Sequence, residues 1–566
     1  MNASVLVLAC LIIFAICDSK NSLEVETKQG ILKGKHWKTH KGRIFNGFTR
    51  IPFAKPPIGD LRFKPPVPIK SWEGILDATQ THSICPQISI YLPGFPVLGD
   101  EDCLYLNVYT PKLNTSENDL LPVMFYIHGG SFLMGSAKPE WLGPQIFLDK
   151  NIVLVTTNYR LGALGFLSTT DKVVPGNNGL KDQSLALRWV KDNIVNFGGD
   201  PKRITIFGNS AGAASAHLHI FSPLSRKLMS GVIFESGNVA SSYAIGSKEQ
   251  SLLNARKLGE YLNCSSTSTD ELIDCLRNVD ANEIVTQEAK FSTWDNETTT
   301  PFRPVIEHPD NDAFLVEHPL ETLKSGKIAN VPLLTGIVAQ EAGYKSAELN
   351  SKPLLLKMLD KYFNLIVPSV FNINCNKENV SNSIREFYFS NQTIDNTTRS
   401  GVTDMYSDGW YLIQHDVIVR LHRQYSRVPI YQYLFDYRGS TSYSTLFGDP
   451  YNDYGVCHTD ELLYLFKLGM TFPNYEPTEN DLEVSEILLT LWTNFAKNGN
   501  PNPEVNSSNI TSWNPIQSDN LEYYHIKNYT DMKMEEYLYF NRTRFWRSLP
   551  IRRTQSKEMD LALYYC

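Results

Sequence analysis

Residues Phe207-Gly-Asn-Ser-Ala-Gly212 set a serine between two glycines. Such neighbours tolerate a turn too tight for bulkier side chains, and that turn presents Ser210 as a nucleophile. A serine hydroxyl attacks poorly at neutral pH. It needs a histidine to take its proton and a carboxylate to fix the imidazole tautomer and stabilise its cation. In an open α/β sheet these partners lie on loops at the carboxyl ends of later strands, in the order serine, acid, histidine. Two loops meet that rule. Gly336-Ile-Val-Ala-Gln-Glu-Ala-Gly343 offers one carboxylate, Glu341, and Gly455-Val-Cys-His-Thr-Asp-Glu461 places His458 just before the helix-like Leu462–Phe466. His217, His219, His415 and His422 fall in helix-like stretches and read as ordinary surface or satisfied polar residues. The oxyanion of acyl transfer needs preorganised N–H donors, each worth ~3 kcal/mol of barrier. The amide of Ala211 follows the nucleophile, and His128-Gly-Gly-Ser-Phe132 lets a backbone approach the substrate.

Positioning these residues requires strands that end where they begin. Ile204–Phe207 reads as a buried strand feeding Ser210, with helix from Ala213 to Phe221. Leu121–Ile127 and Asn151–Thr157 are short, β-branched and apolar, as strands covered on both faces are. Val232–Phe234, Pro332–Thr335 and Ile430–Phe435 read likewise. Asp182–Phe197 predicts a helix, with Asp182 as N-cap, Leu185/Trp189 and Val190/Ile194 at helical spacing, and Gly198-Gly199 as terminator. The alternation predicts an α/β fold: a mostly parallel sheet, helices on both faces, and long excursions over residues 238–330 and 346–425 that read as lids or as structural padding.

The chain has 566 residues, 42% hydrophobic and 20% charged, enough to bury a large core. No linker-like composition divides it, so residues 18–566 read as one domain. A net charge of −7 without Lys/Arg runs argues against nucleic acid as a partner. Residues Val5–Ile16 are apolar but too few to span a bilayer. With Ala15-Ile-Cys17 as a cleavage site they read as a signal peptide over residues 1–17, although no Lys or Arg precedes Lys20. Glycosylation sequons at Asn114, Asn263, Asn296, Asn379, Asn391, Asn396, Asn506, Asn509, Asn528 and Asn541 fit an exported, extracellular protein. Residues 552–566 carry neither a long apolar tail nor a lipidation box, so no membrane anchor is expected. No C-x-x-C or Cys/His alternation suits zinc, and the chemistry above needs no metal or cofactor. Disulfides are expected instead: Cys264 with Cys275, closing a loop worth ~3 kcal/mol, and Cys85 with Cys103. Cys375, Cys457 and Cys566 remain, and read as buried free thiols.

Taken together, the chain resembles the type-B carboxylesterases, the esterase/lipase family that includes cholinesterases, juvenile hormone esterases and the non-catalytic neuroligins. The likeness rests on Phe197-Gly-Gly through Gly212, Glu101-Asp-Cys-Leu-Tyr-Leu-Asn-Val-Tyr-Thr-Pro111, Ile51–Phe63 and Asn158–Phe166. It implies an α/β-hydrolase with Ser210 as nucleophile, Glu341 as acid, His458 as base, and oxyanion donors at Gly130, Ser131 and Ala211. It also implies the disulfides Cys85–Cys103 and Cys264–Cys275, and small-molecule esters as substrates. Ser131 stands where many members have Gly or Ala, and Ala342 where Gly is usual. No tryptophan lies between Cys85 and Cys103 to hold a quaternary ammonium by cation–π attraction, which argues against choline esters. Asn209 stands where juvenile hormone esterases usually have Gln, so a hormone-specific esterase stays an alternative. A neuroligin-like binding protein on the same fold is the alternative of another class, disfavoured by the complete triad. Sequence does not reveal oligomeric state.

Overall fold

Buried β-branched and aromatic runs build an eleven-stranded sheet in the computed structural model, which describes residues 23–90, 92, 94–113, 115–292, 300–504 and 510–550. The expected signal peptide and the sequons at Asn114, Asn296, Asn506 and Asn509 lie outside the described residues. The strands are β1 (Lys35–Lys38), β2 (Ile44–Pro52), β3 (Tyr105–Thr110), β4 (Leu121–Ile127), β5 (Val153–Thr157), β6 (Gly199–Asn209), β7 (Gly231–Glu235), β8 (Leu333–Val338), β9 (Ile430–Phe435), β10 (Tyr523–Asn528) and β11 (Asp531–Glu535). Their spatial order is β11-β10-β9-β8-β7-β6-β4-β5-β3-β2-β1. From β5 through β10 every pairing is parallel, and the outer pairings are antiparallel. The chain crosses from β5 past β4 to β6, so the carboxyl ends of β4 and β6 flank the reversal in strand order. Sheets of this kind place their ligands there.

Alternation along β4 feeds two cores. Val123, Phe125 and Ile127 face one layer, Met124 and Tyr126 the other. The first layer is covered by α1 (Asn178–Asn193) and α2 (Ala211–His219), the second by α3 (Glu479–Asn498), whose Leu488, Leu491, Trp492 and Phe495 are buried. Helices over residues 343–425 pack around a third cluster that includes Phe371, Tyr406 and Trp546.

α1 starts four residues before the predicted Asp182. Asp182 is not an N-cap. Its fully buried carboxylate accepts three hydrogen bonds from Arg160, two from the guanidinium and one from the backbone N–H, at 2.7–3.0 Å. An aspartate engaged by a guanidinium can sit inside a helix, and the pairing partner lies too far away in sequence to be read locally.

Both expected disulfides are present, Cys85–Cys103 and Cys264–Cys275. Cys264 sits between two helices, Lys248–Tyr261 and Thr269–Arg277, rather than within one. Arg62 ties the two loops together: it pairs with Glu101 beside the first disulfide and donates to the carbonyls of Arg277 and Val279 beside the second. Cys457 is a buried free thiol, as expected, but Cys375 is disulfide-bonded, which corrects its reading as a thiol. Among the described residues no helix is long and apolar enough to cross a membrane.

Candidate active site

The turn at Ser210 forms because β6 must hand over to α2 without a gap. Asn209 ends the strand opposite Glu235 of β7, and Ala211 begins the helix. Ser210 between them has φ 59° and ψ −123°, a conformation costly for a residue with a Cβ. The cost is held by close packing. A Cβ at Gly212 would stand 2.0 Å from the Ile127 carbonyl oxygen, and one at Gly208 would stand 2.5 Å from it. Both glycines are thus needed for β6, α2 and the end of β4 to touch. The Ser210 N–H donates to the Glu235 carbonyl at 2.9 Å, and the Ser210 carbonyl accepts from Ala214. As the first helical residue, Ala211 has an N–H with no intrahelical acceptor.

The loops after β8 and β9 meet beside this turn. Glu341 is 1% exposed; its Oε1 accepts from the Val338 N–H at 3.0 Å and its Oε2 from His458 Nδ1 at 2.7 Å. The backbone repeats the link, with the His458 N–H donating to the Glu341 carbonyl. Ala342 has φ −90° and packs in the core, its N–H held by Ser407 Oγ, so glycine is not required there. The His458 ring lies under Tyr411, centroids 4.6 Å apart, and Nε2 is buried without a hydrogen bond.

Ser210 and His458 line one cavity of about 210 Å³ together with Gly129, Gly130 and Ser131 from the end of β4. Gly130 and Ser131 both have positive φ, at 105° and 57°, which turns the segment sharply past the serine. His128, at the start of that segment, is stacked on Tyr159, and burial holds its pKa down at about 4, so it is neutral. Aromatic side chains wall the remainder, among them Tyr126, Trp141, Tyr344 and Tyr443. Ile90 from the Cys85–Cys103 loop also faces it.

Sequence reasoning missed Tyr411 and Tyr344. Tyr411 sits in a π-helical turn, Asp408–Leu412, inside the excursion read as a lid or as padding. Wide turns of this kind recur at functional sites, but nothing in local sequence marks one. The expected non-catalytic histidines lie away from the cavity: His217 Nε2 contacts His422 Nε2 at 2.7 Å, His219 bonds Ser225 and Gln183, and His415 is buried. Among the described residues no group of His, Cys, Asp and Glu could hold a metal ion.

A family model described as the carboxylesterase family matches residues 21–546. Venom carboxylesterase-6 of Apis mellifera is 36% identical over 541 residues, covering 94% of this chain and 95% of the relative. Juvenile hormone esterase of Tribolium castaneum is 36% identical over 519 residues, covering 88% and 86%. Esterase FE4 of Myzus persicae is 34% identical over 534 residues, covering 92% of each. A match this long, on a mostly parallel sheet whose strand ends carry the tight turn at Ser210 and the His458–Glu341 pair, means that the chain belongs to the carboxylesterase family, α/β-hydrolases that cleave carboxylic esters.

Proposed function

We propose that this chain is a secreted serine esterase that hydrolyses compact carboxylic esters through an acyl-Ser210 intermediate. The observation that carries the reading is the 2.7 Å bond from His458 Nδ1 to Glu341, which leaves Nε2 free beside the cavity that Ser210 lines. Ser210 Oγ attacks the ester carbonyl carbon and its proton passes to His458 Nε2. The carbonyl oxygen becomes an anion held by the amides of Gly130, Ser131 and Ala211. Collapse of the adduct expels the alcohol, which takes the proton from His458. Water then gives a proton to the imidazole as it attacks the acyl carbon, and the second adduct collapses by breaking the bond to Ser210 Oγ, which takes that proton back from His458 as the acid leaves. In apo enzymes the serine–histidine contact is commonly long and tightens with substrate, which suits an Nε2 that has no partner before the ester enters.

A cavity of about 210 Å³ lies below the usual range for drug-sized ligands and suits short acyl and alcohol groups. Replacing Ser210 by Ala is expected to abolish turnover of a short aryl ester while secretion and circular dichroism stay as in the wild type; undiminished turnover would refute the role. An organophosphate should label the wild type once per chain, at Ser210. A panel of esters graded in acyl and alcohol size tests the size limit. Export is supported by the apolar leader and by sequons at exposed Asn263, Asn379, Asn391, Asn396 and Asn541. Recovery from culture medium with a glycosidase-sensitive mass tests it.

A further inference from the structure

The segment proposed to hold the oxyanion is fastened from outside by a side chain that the reaction does not use. Gln87 follows Cys85 by two positions in the loop that the Cys85–Cys103 disulfide closes, and it is 1% exposed. Its side-chain amide grips Gly135 at both backbone groups: Nε2 donates to the Gly135 carbonyl at 2.9 Å, and Oε1 accepts from the Gly135 N–H at 2.8 Å. The other Nε2 hydrogen goes to the Cys85 carbonyl, also at 2.9 Å. Both N–H groups and the oxygen are thus committed, and the Gly135 N–H fixes which end of the amide is oxygen. A turned amide would set donor against donor and leave two buried carbonyls unpaired.

Gly135 lies directly on that segment. A Cβ placed on it would stand 2.3 Å from His128 Nδ1 and 2.6 Å from the Gly129 carbonyl oxygen. Between Gly129 and Gly135 the chain folds tightly: the Gly130 carbonyl accepts from the N–H groups of Leu133 and Met134, and a Cβ at Gly130 would stand 2.2 Å from the Met134 carbonyl oxygen. Gly129 in turn abuts Ser210, whose Cβ lies 3.1 Å from the place a Gly129 Cβ would take. Contacts this close pass a displacement on rather than absorb it. We propose that Gln87 is a positioning residue of the esterase reaction: through Gly135 it holds the amides of Gly130 and Ser131 where the oxyanion forms. Donors aimed in advance need no reorganisation as charge develops. Tyr159 holds the front of the segment, donating to the His128 carbonyl at 2.9 Å, and Asn158 and Asn107 hold its far end at Ala137, both at 2.8 Å. Gln87 fastens the turn between them. The disulfide takes part because Cys85 supplies the carbonyl that keeps the Gln87 amide in place, while pairing of Gln87–Ile88 with Val97–Leu98 braces the loop.

The inference rests on the proposed reading of Ser210 as nucleophile and of Gly130 and Ser131 as oxyanion donors. Gln87→Ala is compared with the wild type on a short aryl ester, and with a trifluoromethyl ketone and the matching methyl ketone as inhibitors. Ser210 Oγ adds to the carbonyl carbon of the trifluoromethyl ketone, the serine proton passes to His458 Nε2, and the carbonyl oxygen becomes an anion. The methyl ketone occupies the cavity without forming that adduct. Loosened donors should lower kcat about 10- to 100-fold and leave KM within about twofold of the wild type. Affinity for the trifluoromethyl ketone should fall by a similar factor, and affinity for the methyl ketone should stay. A role confined to stability would move neither the kcat-to-KM split nor the ratio of the two affinities. A kcat within about threefold of the wild type, or equal weakening of both ketones, would overturn the proposal. If Gln87→Ala does not fold, Gln87→Glu carries the same comparisons, since it keeps an acceptor for the Gly135 N–H and loses both donors. Failure of the serine reading shows separately: Ser210→Ala would then keep the preference for the trifluoromethyl ketone, whatever Gln87 does.

Discussion

A single amide-for-carboxylate exchange probes the chemistry most directly. Glu341 is fully engaged by the Val338 N–H and His458 Nδ1. Glu341→Gln keeps its size but can present an N–H to Nδ1, which favours the wrong imidazole tautomer. The expected result is a fall in kcat of about 10⁴-fold with little change in KM or fold. Steady-state kinetics with circular dichroism checks it. The residues of this site differ in how far sequence reveals them. Ser210, Glu341 and His458 sit in short segments whose chemistry and order are legible. Tyr411 meets the His458 ring from a π turn, Asp408–Leu412, that local sequence does not mark.

Elements carry the strain that residues use. The turn at Ser210 persists because β4, β6 and α2 meet with no room for a methyl group at Gly212. Gly212→Ala is expected to cost about 1–3 kcal/mol by overpacking. Its turnover should fall further than its denaturation midpoint explains, since the Ile127 carbonyl precedes the Gly129–Ser131 segment proposed to hold the oxyanion. A loss of stability with normal kcat would count against that coupling. At α1, Asp182→Ala would leave the Arg160 guanidinium buried without its anion, and is expected to cost about 3–5 kcal/mol in a urea titration. That pair also shows why helix boundaries were harder to place than strands. β4 and β9 match their predicted limits because apolar runs between turns are local signals. The place of Asp182 inside α1 depends on an arginine 22 positions away in sequence.

At the scale of the molecule, the sheet closes at one edge with the β10–β11 hairpin, and a histidine stitches that hairpin to β9. His525 bonds Glu535 at 3.0 Å through Nδ1 and Asp436, just past β9, at 3.0 Å through Nε2. Burial opposes its protonation, but the two carboxylates outweigh burial and raise its pKa above the ordinary 6.5. Glu535 is correspondingly lowered to about 2: burial opposes the shift, and hydrogen bonds led by that from His525 outweigh it. A raised histidine stabilises fully below its ordinary value and loses that contribution as pH climbs through the raised one. His525→Phe should therefore lower Tm more at about pH 5.5 than at about pH 9, where the wild type has already lost the charge. Equal Tm losses at both values would contradict the stitch. The aromatic packing around the edge, with Trp513 stacked on Tyr524 at 5.0 Å, is unaffected by pH and keeps the strand paired in either case.

Local chemistry was enough to read the tight turn at Ser210, the buried strands around it and the two short disulfide loops. Each depends on neighbours within a few residues or on a rule of sheet topology. Long-range packing alone settled which aromatic rings wall the cavity, that Cys375 is bonded and that Asp182 serves Arg160. The physical reason is common to all of these. Burial removes water from groups that the chain brings together from distant positions, and their charges, protons and partners are then set by one another.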